Sequence, residues 1–127
     1  MMAVTVTTDT VWEDTDAVFM ARITNWAAAN ITIATVTSIT RYIYDETGGT
    51  TIDSGTAVTV ATSVFDTLQT DALWSKDSTG YNFKDTIGET AFVTGGSTYR
   101  VEYIVKPTSG TEFPVAFQVT AKALRSS

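Results

Sequence analysis

The chain has 127 residues, with 14 acidic against 8 basic side chains, a formal charge of −6, and neither histidine nor cysteine. Without cysteine there is no disulfide framework and no thiolate nucleophile, and without histidine the commonest general base and metal ligand is missing. The basic residues are scattered singly, so the clustered cations that neutralise nucleic-acid phosphates or attract an anionic membrane are lacking as well.

A chain of this length suits a single β-sandwich domain, residues 1–127, with a core large enough to need no staples. Threonine accounts for 26 of the 127 residues. Its β-branched side chain is stiff at χ1 and favours a half-buried pleated surface, so the chain reads as β throughout.

Val4–Thr8 alternates Val and Thr and serves either as a first strand or, with the rest of residues 1–12, as an N-terminal arm. The acidic turn Glu13-Asp14-Thr15-Asp16 precedes a strand over Ala17–Thr24. Ile31–Thr37 leads into Ile39–Tyr44, with a break or bulge near Thr37-Ser38. The stretch from Ala17 to Val36 is the longest apolar run, but Arg22, Asn25 and Asn30 interrupt it, so it does not span a bilayer. The paired glycines of Asp45-Glu46-Thr47-Gly48-Gly49 mark a tight turn. Thr50–Asp53 then pairs back, and Ser54-Gly55 turns the chain into a strand over Ala57–Phe65. Asp66–Leu73 lacks alternation and predicts one short helical turn capped by Asp66. Asp77-Ser78-Thr79-Gly80 suits a type I turn before a strand over Tyr81–Thr86.

The closing hairpin is the clearest element. Tyr99, Val101, Tyr103 and Val105 share one face, with Arg100, Glu102 and Lys106 on the other, and Phe113, Val115, Phe117 and Val119 repeat the pattern. Pro114 cannot donate to a ladder, which places the start of that arm at an edge or a bulge. Seven to nine strands in all favour an all-β, immunoglobulin-like antiparallel sandwich over a closed barrel.

Few residues are candidates for a site. Glu13, Asp14 and Asp16 group oxygens that Ca²⁺ would accept, but they lack the spacing and glycine of an EF-hand loop and read first as a solvated acidic turn. Trp12, Trp26 and Trp74 stand near strand ends, where an indole supplies apolar contact to a core or a subunit interface; as a sugar-stacking platform they are the lesser reading. A Ser or Thr nucleophile would need Lys76, Lys84, Lys106 or Lys122 as its base, and none of them lies in a catalytic motif. The chain is therefore expected not to be an enzyme and to need no cofactor, with a small-molecule ligand equally unexpected.

Leu68-Gln69-Thr70-Asp71-Ala72-Leu73-Trp74, continuing through Asp77, Gly80, Tyr81, Asn82 and Phe83, resembles small β-sandwich virion structural proteins of tailed bacteriophages, of the head decoration or cement type. Tyr99-Arg100-Val101-Glu102-Tyr103, Ser109-Gly110 and the strand from Phe113 to Val119 carry the same resemblance, which runs from about Ser38 onward. It implies a capsid decoration subunit, made in the host cytoplasm and seated on the virion surface. Its implied partners are the major capsid protein and copies of itself, as in a homotrimer. The alternative is a tail or fibre immunoglobulin-like module that binds host-surface glycans.

Overall fold

The computed structural model describes residues 4–6, 10–12, 15–24, 29–70, 74, 78–88 and 90–123. Among them nine strands form two sheets. β1 (Val4–Val6), β3 (Ala17–Ile23), β7 (Tyr81–Ile87) and β6 (Val64–Gln69) make a four-stranded sheet in the order β1-β3-β7-β6. β2 (Thr10–Trp12), β9 (Phe113–Lys122), β8 (Thr98–Pro107), β4 (Val36–Asp45) and β5 (Thr50–Val58) make a five-stranded one in the order β2-β9-β8-β4-β5.

This is the strand order of an immunoglobulin-like sandwich. The first segment is divided between the sheets: β1 pairs antiparallel with β3, and β2 runs parallel to β9, from Thr10 beside Thr120 to Trp12 beside Lys122. Every other strand pair is antiparallel.

Period-two alternation decides which side chains fill the space between the sheets. β9 alternates buried and exposed along all of its ten residues, and β8 buries Tyr99, Val101, Tyr103 and Val105 completely. Phe19, Ala21 and Ile23 of β3 and Phe83 and Ile87 of β7 face them from the other sheet and belong to the same cluster. Edge-on ring pairs tie the layers together, with Phe19 to Phe117 at 5.0 Å and Phe83 to Tyr103 at 4.8 Å between centroids. Burying each such ring contributes on the order of 2–3 kcal/mol.

Two local devices hold the ends. The hydroxyl oxygen of the fully buried Tyr99, at the start of β8, accepts the Thr94 N–H at 3.1 Å, the tyrosine corner of immunoglobulin-like folds. Where the β3–β7 ladder would stop, the buried Asn82 side chain replaces it. Its oxygen accepts the Ile23 N–H at 2.8 Å, and its amide donates to the Ile23 carbonyl at 2.9 Å.

Several expectations change. The chain does not turn at Ser54-Gly55. β5 continues to Val58, with register shifts around Asp53–Gly55 and Gly55 at φ +137°. The short helix, α1, falls at Val60–Ser63 instead of after Asp66, and carries the chain to the other sheet. Asp66 lies in β6, where its carboxylate accepts the Ile33 N–H at 2.7 Å from a 3-10 turn over Ile33–Thr35. Residues 33–35 are therefore not strand, and the shift after Val36 is the expected bulge. Pro114 pairs with Ile104 without a register shift. β2 covers only Thr120–Lys122 of β9, so the Pro114 nitrogen faces an open edge and forfeits no ladder bond. Gly80, at φ +105°, lies so near β6 that a Cβ would collide with the Gln69 carbonyl oxygen. Asp77 lies outside the described residues.

Candidate interface on the five-stranded sheet

Because odd-numbered residues of β8 and β9 point inward, the even-numbered ones make an outer face, joined by Thr40, Tyr42 and Tyr44 of β4. Cross-strand register sets Thr40, Ile104 and Pro114 in one row, Tyr42, Glu102 and Ala116 in the next, and Tyr44, Arg100 and Gln118 in a third. Trp12 extends this face at the β2 edge. Val11 turns into the core, and Trp12 is 50% exposed, beside Lys122, whose Nζ lies 5.6 Å from the indole centroid. Gly55, in the bulge of β5, faces the Tyr42 ring closely enough that a Cβ there would touch it at 3.4 Å. The face thus carries several aromatic rings, with a partly exposed Ile104 in the row next to Lys106. Trp, Tyr and Arg are the residue types that dominate binding energy at protein interfaces.

Charge on this face differs from the rest of the chain. Arg100, Lys106 and Lys122 stand against Glu102 and the bordering Glu46 and Glu112, the last opposite Lys106 by the β8–β9 register, so the face is formally neutral. The remaining five bases and eleven acids sum to −6. Arg100 is paired with Glu102 at 3.0 Å, which leaves Lys106 and Lys122 as the cations at the two ends.

The other expected residues are placed apart. Trp74 is buried against Met20 and Tyr81, with Val18 and Phe65 beside them, in a second cluster separate from the main core. It supplies internal packing, 5.7 Å from the Tyr81 ring. Trp26, Glu13 and Asp14 lie outside the described residues, and Asp16 is exposed. Among the described residues no group of three or more acidic side chains is arranged to hold a metal ion, and no helix is long and apolar enough to cross a membrane.

A second polar feature lies between the sheets. Arg41 occupies an inward position between Ile39 and Ile43. Its Nε donates to Asp53 of β5 at 3.2 Å, and its Nη1 to Asp85 of β7 at 3.0 Å. The same Asp85 oxygen accepts the Tyr103 hydroxyl at 2.8 Å. Burial and the neighbouring Asp85 charge hold the Tyr103 phenol well above its ordinary pKa. Burial works against ionised Asp53, but the Gly55 N–H, the Thr56 hydroxyl and Arg41 outweigh it and lower its pKa. A groove of about 340 Å³ opens beside this cluster, walled by Ile43, Ile52, Ile87 and Ala91. Its acids and its base are spent on one another, so the cluster fastens the two sheets and offers no free nucleophile or base. The sequence did carry a signal for it: Arg41 and Asp85 each interrupt an inward-facing apolar series, and a charge in such a position requires a partner.

Comparison with known proteins gave no match to a family model, a curated protein or a solved structure.

Proposed function

We propose that the protein is a structural subunit that works through protein–protein contact, as a decoration or cement subunit on the head of a tailed bacteriophage. The outer face of the five-stranded sheet carries this reading. It sets Trp12, Tyr42, Tyr44 and Ile104 on a rigid, twisted surface backed by a fully packed core. The sequence resemblance of the segments from Ser38 onward supplies the setting, with the major capsid protein and further copies of the chain as partners. A subunit of this kind binds the assembled shell and not the separate capsid proteins, and so stabilises the shell by mass action.

The experiment heats or osmotically shocks heads with and without the protein. Greater survival of the decorated heads is expected; equal survival overturns the reading.

The exposed indole of Trp12 keeps one alternative, a tail or fibre module that binds host-surface glycans. Lys122 lies over that ring and occupies one of its faces, while Trp74 is buried. Trp12→Ala separates the two: loss of glycan binding with unchanged folding favours the module.

A further inference from the structure

β9 is an edge strand over most of its length. β2 lies beside it only from Thr120 to Lys122, so Phe113–Val119 faces no neighbouring strand on that side among the described residues. The bonds on its other side fix the direction of its backbone. The Ala121 N–H donates to the Ser97 carbonyl at 3.0 Å, and the Ala121 carbonyl accepts the Gly96 N–H at 2.7 Å. The register with β8 then runs unbroken from Thr98 beside Thr120 to Val105 beside Phe113. Backbone groups alternate sides along an antiparallel ladder, so odd-numbered residues bond β8 and even-numbered ones point away. The carbonyls of Pro114, Ala116 and Gln118 and the N–H groups of Ala116 and Gln118 are therefore turned to the open edge.

Other edges of the two sheets are guarded. β1 and β2 have three residues each, β5 is broken by register shifts around Asp53–Gly55, and β6 carries Asp66 and pairs irregularly with β7. Short strands, bulges and charges are the usual obstacles to edge pairing. Phe113–Ala121 has no charged side chain, and its one obstacle is Pro114. Two copies of a chain with net charge −6 repel, and an uncharged strip is where they approach at least cost.

We propose that two copies of the chain pair β9 against β9, antiparallel about a two-fold axis at Ala116, joining their five-stranded sheets into one. The edge is self-complementary about that residue, as a two-fold contact requires. Ala116 stands opposite its own counterpart, and each N–H donates to the other's carbonyl. Gln118 stands opposite Pro114 and donates to its carbonyl. The donor that proline lacks falls at the ends of the pairing, so both outward N–H groups of each copy find acceptors. The contact involves copies of the chain alone and goes beyond the decoration reading. It is tested without heads, so its failure leaves that reading standing.

The experiment is sedimentation velocity over a concentration series, with cross-linking as the positional readout. The mass should rise from one chain toward two as concentration increases. Ala116→Lys sets like charges face to face at the axis and should raise the dissociation constant at least about tenfold. Thr51→Lys makes the same charge change on the exposed side of β5 and should dimerise as wild type does. A thermal melt of each variant, matching that of wild type, excludes loss of folding as the cause. In a chain otherwise free of cysteine, Ala116→Cys brings the paired Cα atoms to about 5.5 Å, within disulfide reach, whereas Gln118→Cys leaves them about 14 Å apart. Oxidation should cross-link the first variant and spare the second. A chain that stays monomeric at every concentration overturns the pairing. So does undiminished dimerisation of Ala116→Lys, or cross-linking of Gln118→Cys as fast as that of Ala116→Cys.

Discussion

Arg41 on β4 and Asp85 on β7 meet across the sandwich, Nη1 to Oδ2 at 3.0 Å, although their strands belong to different sheets. Their side chains are only 18% and 13% exposed, so each charge depends on the other for what it lost in leaving water. Arg41→Met leaves the carboxylates of Asp53 and Asp85 without their cation. It should lower stability by about 2–4 kcal/mol, at the lower part of the range for a broken buried pair because some water still reaches the site. Tyr103→Phe keeps the ring in the core and removes one hydrogen bond to a charged acceptor, costing about 1–2 kcal/mol. Chemical denaturation of both variants checks the order: Arg41→Met must be the more damaging.

The same cluster sets an acid limit. Folding lowers the pKa of Asp53, so its ionised form contributes stability that is fully present above the unfolded value of about 4. That contribution disappears as pH falls through the lower folded value. The Asp53 contribution to the denaturant midpoint should therefore be independent of pH near neutrality and decline below about pH 4. Asp53→Asn should be less stable than wild type at pH 7, with the gap closing in acid. A gap that widens in acid would contradict the assignment.

β5 is an edge strand held loosely to the interior. Only Val58 of its nine residues is buried, its ladder with β4 shifts register twice, and Asp53 is its anchor to the interior. Local opening draws on regions with few buried contacts. Amide exchange should be faster over Thr50–Ala57 than in β4, β8 or β9, and slowest over Tyr99–Val105. Asp53→Asn should accelerate β5 and leave β8 unchanged; uniform acceleration would show that Asp53 acts on global stability alone.

The buried Asn82 side chain stands in for a strand, bonding both backbone groups of Ile23. Asn82→Ala orphans the buried Ile23 N–H, whereas the Ile23 carbonyl keeps the Ile31 N–H at 3.1 Å, at a cost of about 2 kcal/mol. A fall in melting temperature of roughly 7 °C is the expected reading. Asn82→Asp should not rescue it, because a carboxylate oxygen would then face the Ile23 carbonyl.

Much of the fold was legible because strand burial has a period of two, a local property. The sequence of β8 and β9 names its own inward residues, and the turn at Asp45–Gly49 announces itself through its glycines, with the Gly48 N–H donating to the Asp45 carboxylate at 2.8 Å. Asp66 was harder to read. Its lack of alternation resembles a helical turn, but it sits in an edge strand that pairs with β7 only at Val64 and Gln69, so nothing enforces alternation between those points. Trp74 was placed near a strand end without its destination, since Met20 and Tyr81 come to it from other elements.

The outer face shows the same division. Composition alone excluded thiol and imidazole chemistry and made an all-β sandwich the expected fold. Alternation then assigned Arg100, Glu102, Ile104 and Lys106 to one outward side, because side-chain direction along a strand is fixed by the backbone. Only the tertiary structure decided that Tyr42, Tyr44 and Trp12 join them, and that Arg41 finds Asp53 and Asp85 within the sandwich. Those neighbours depend on which strands pair and which sheets face each other, and that order is set by packing between residues distant in the chain.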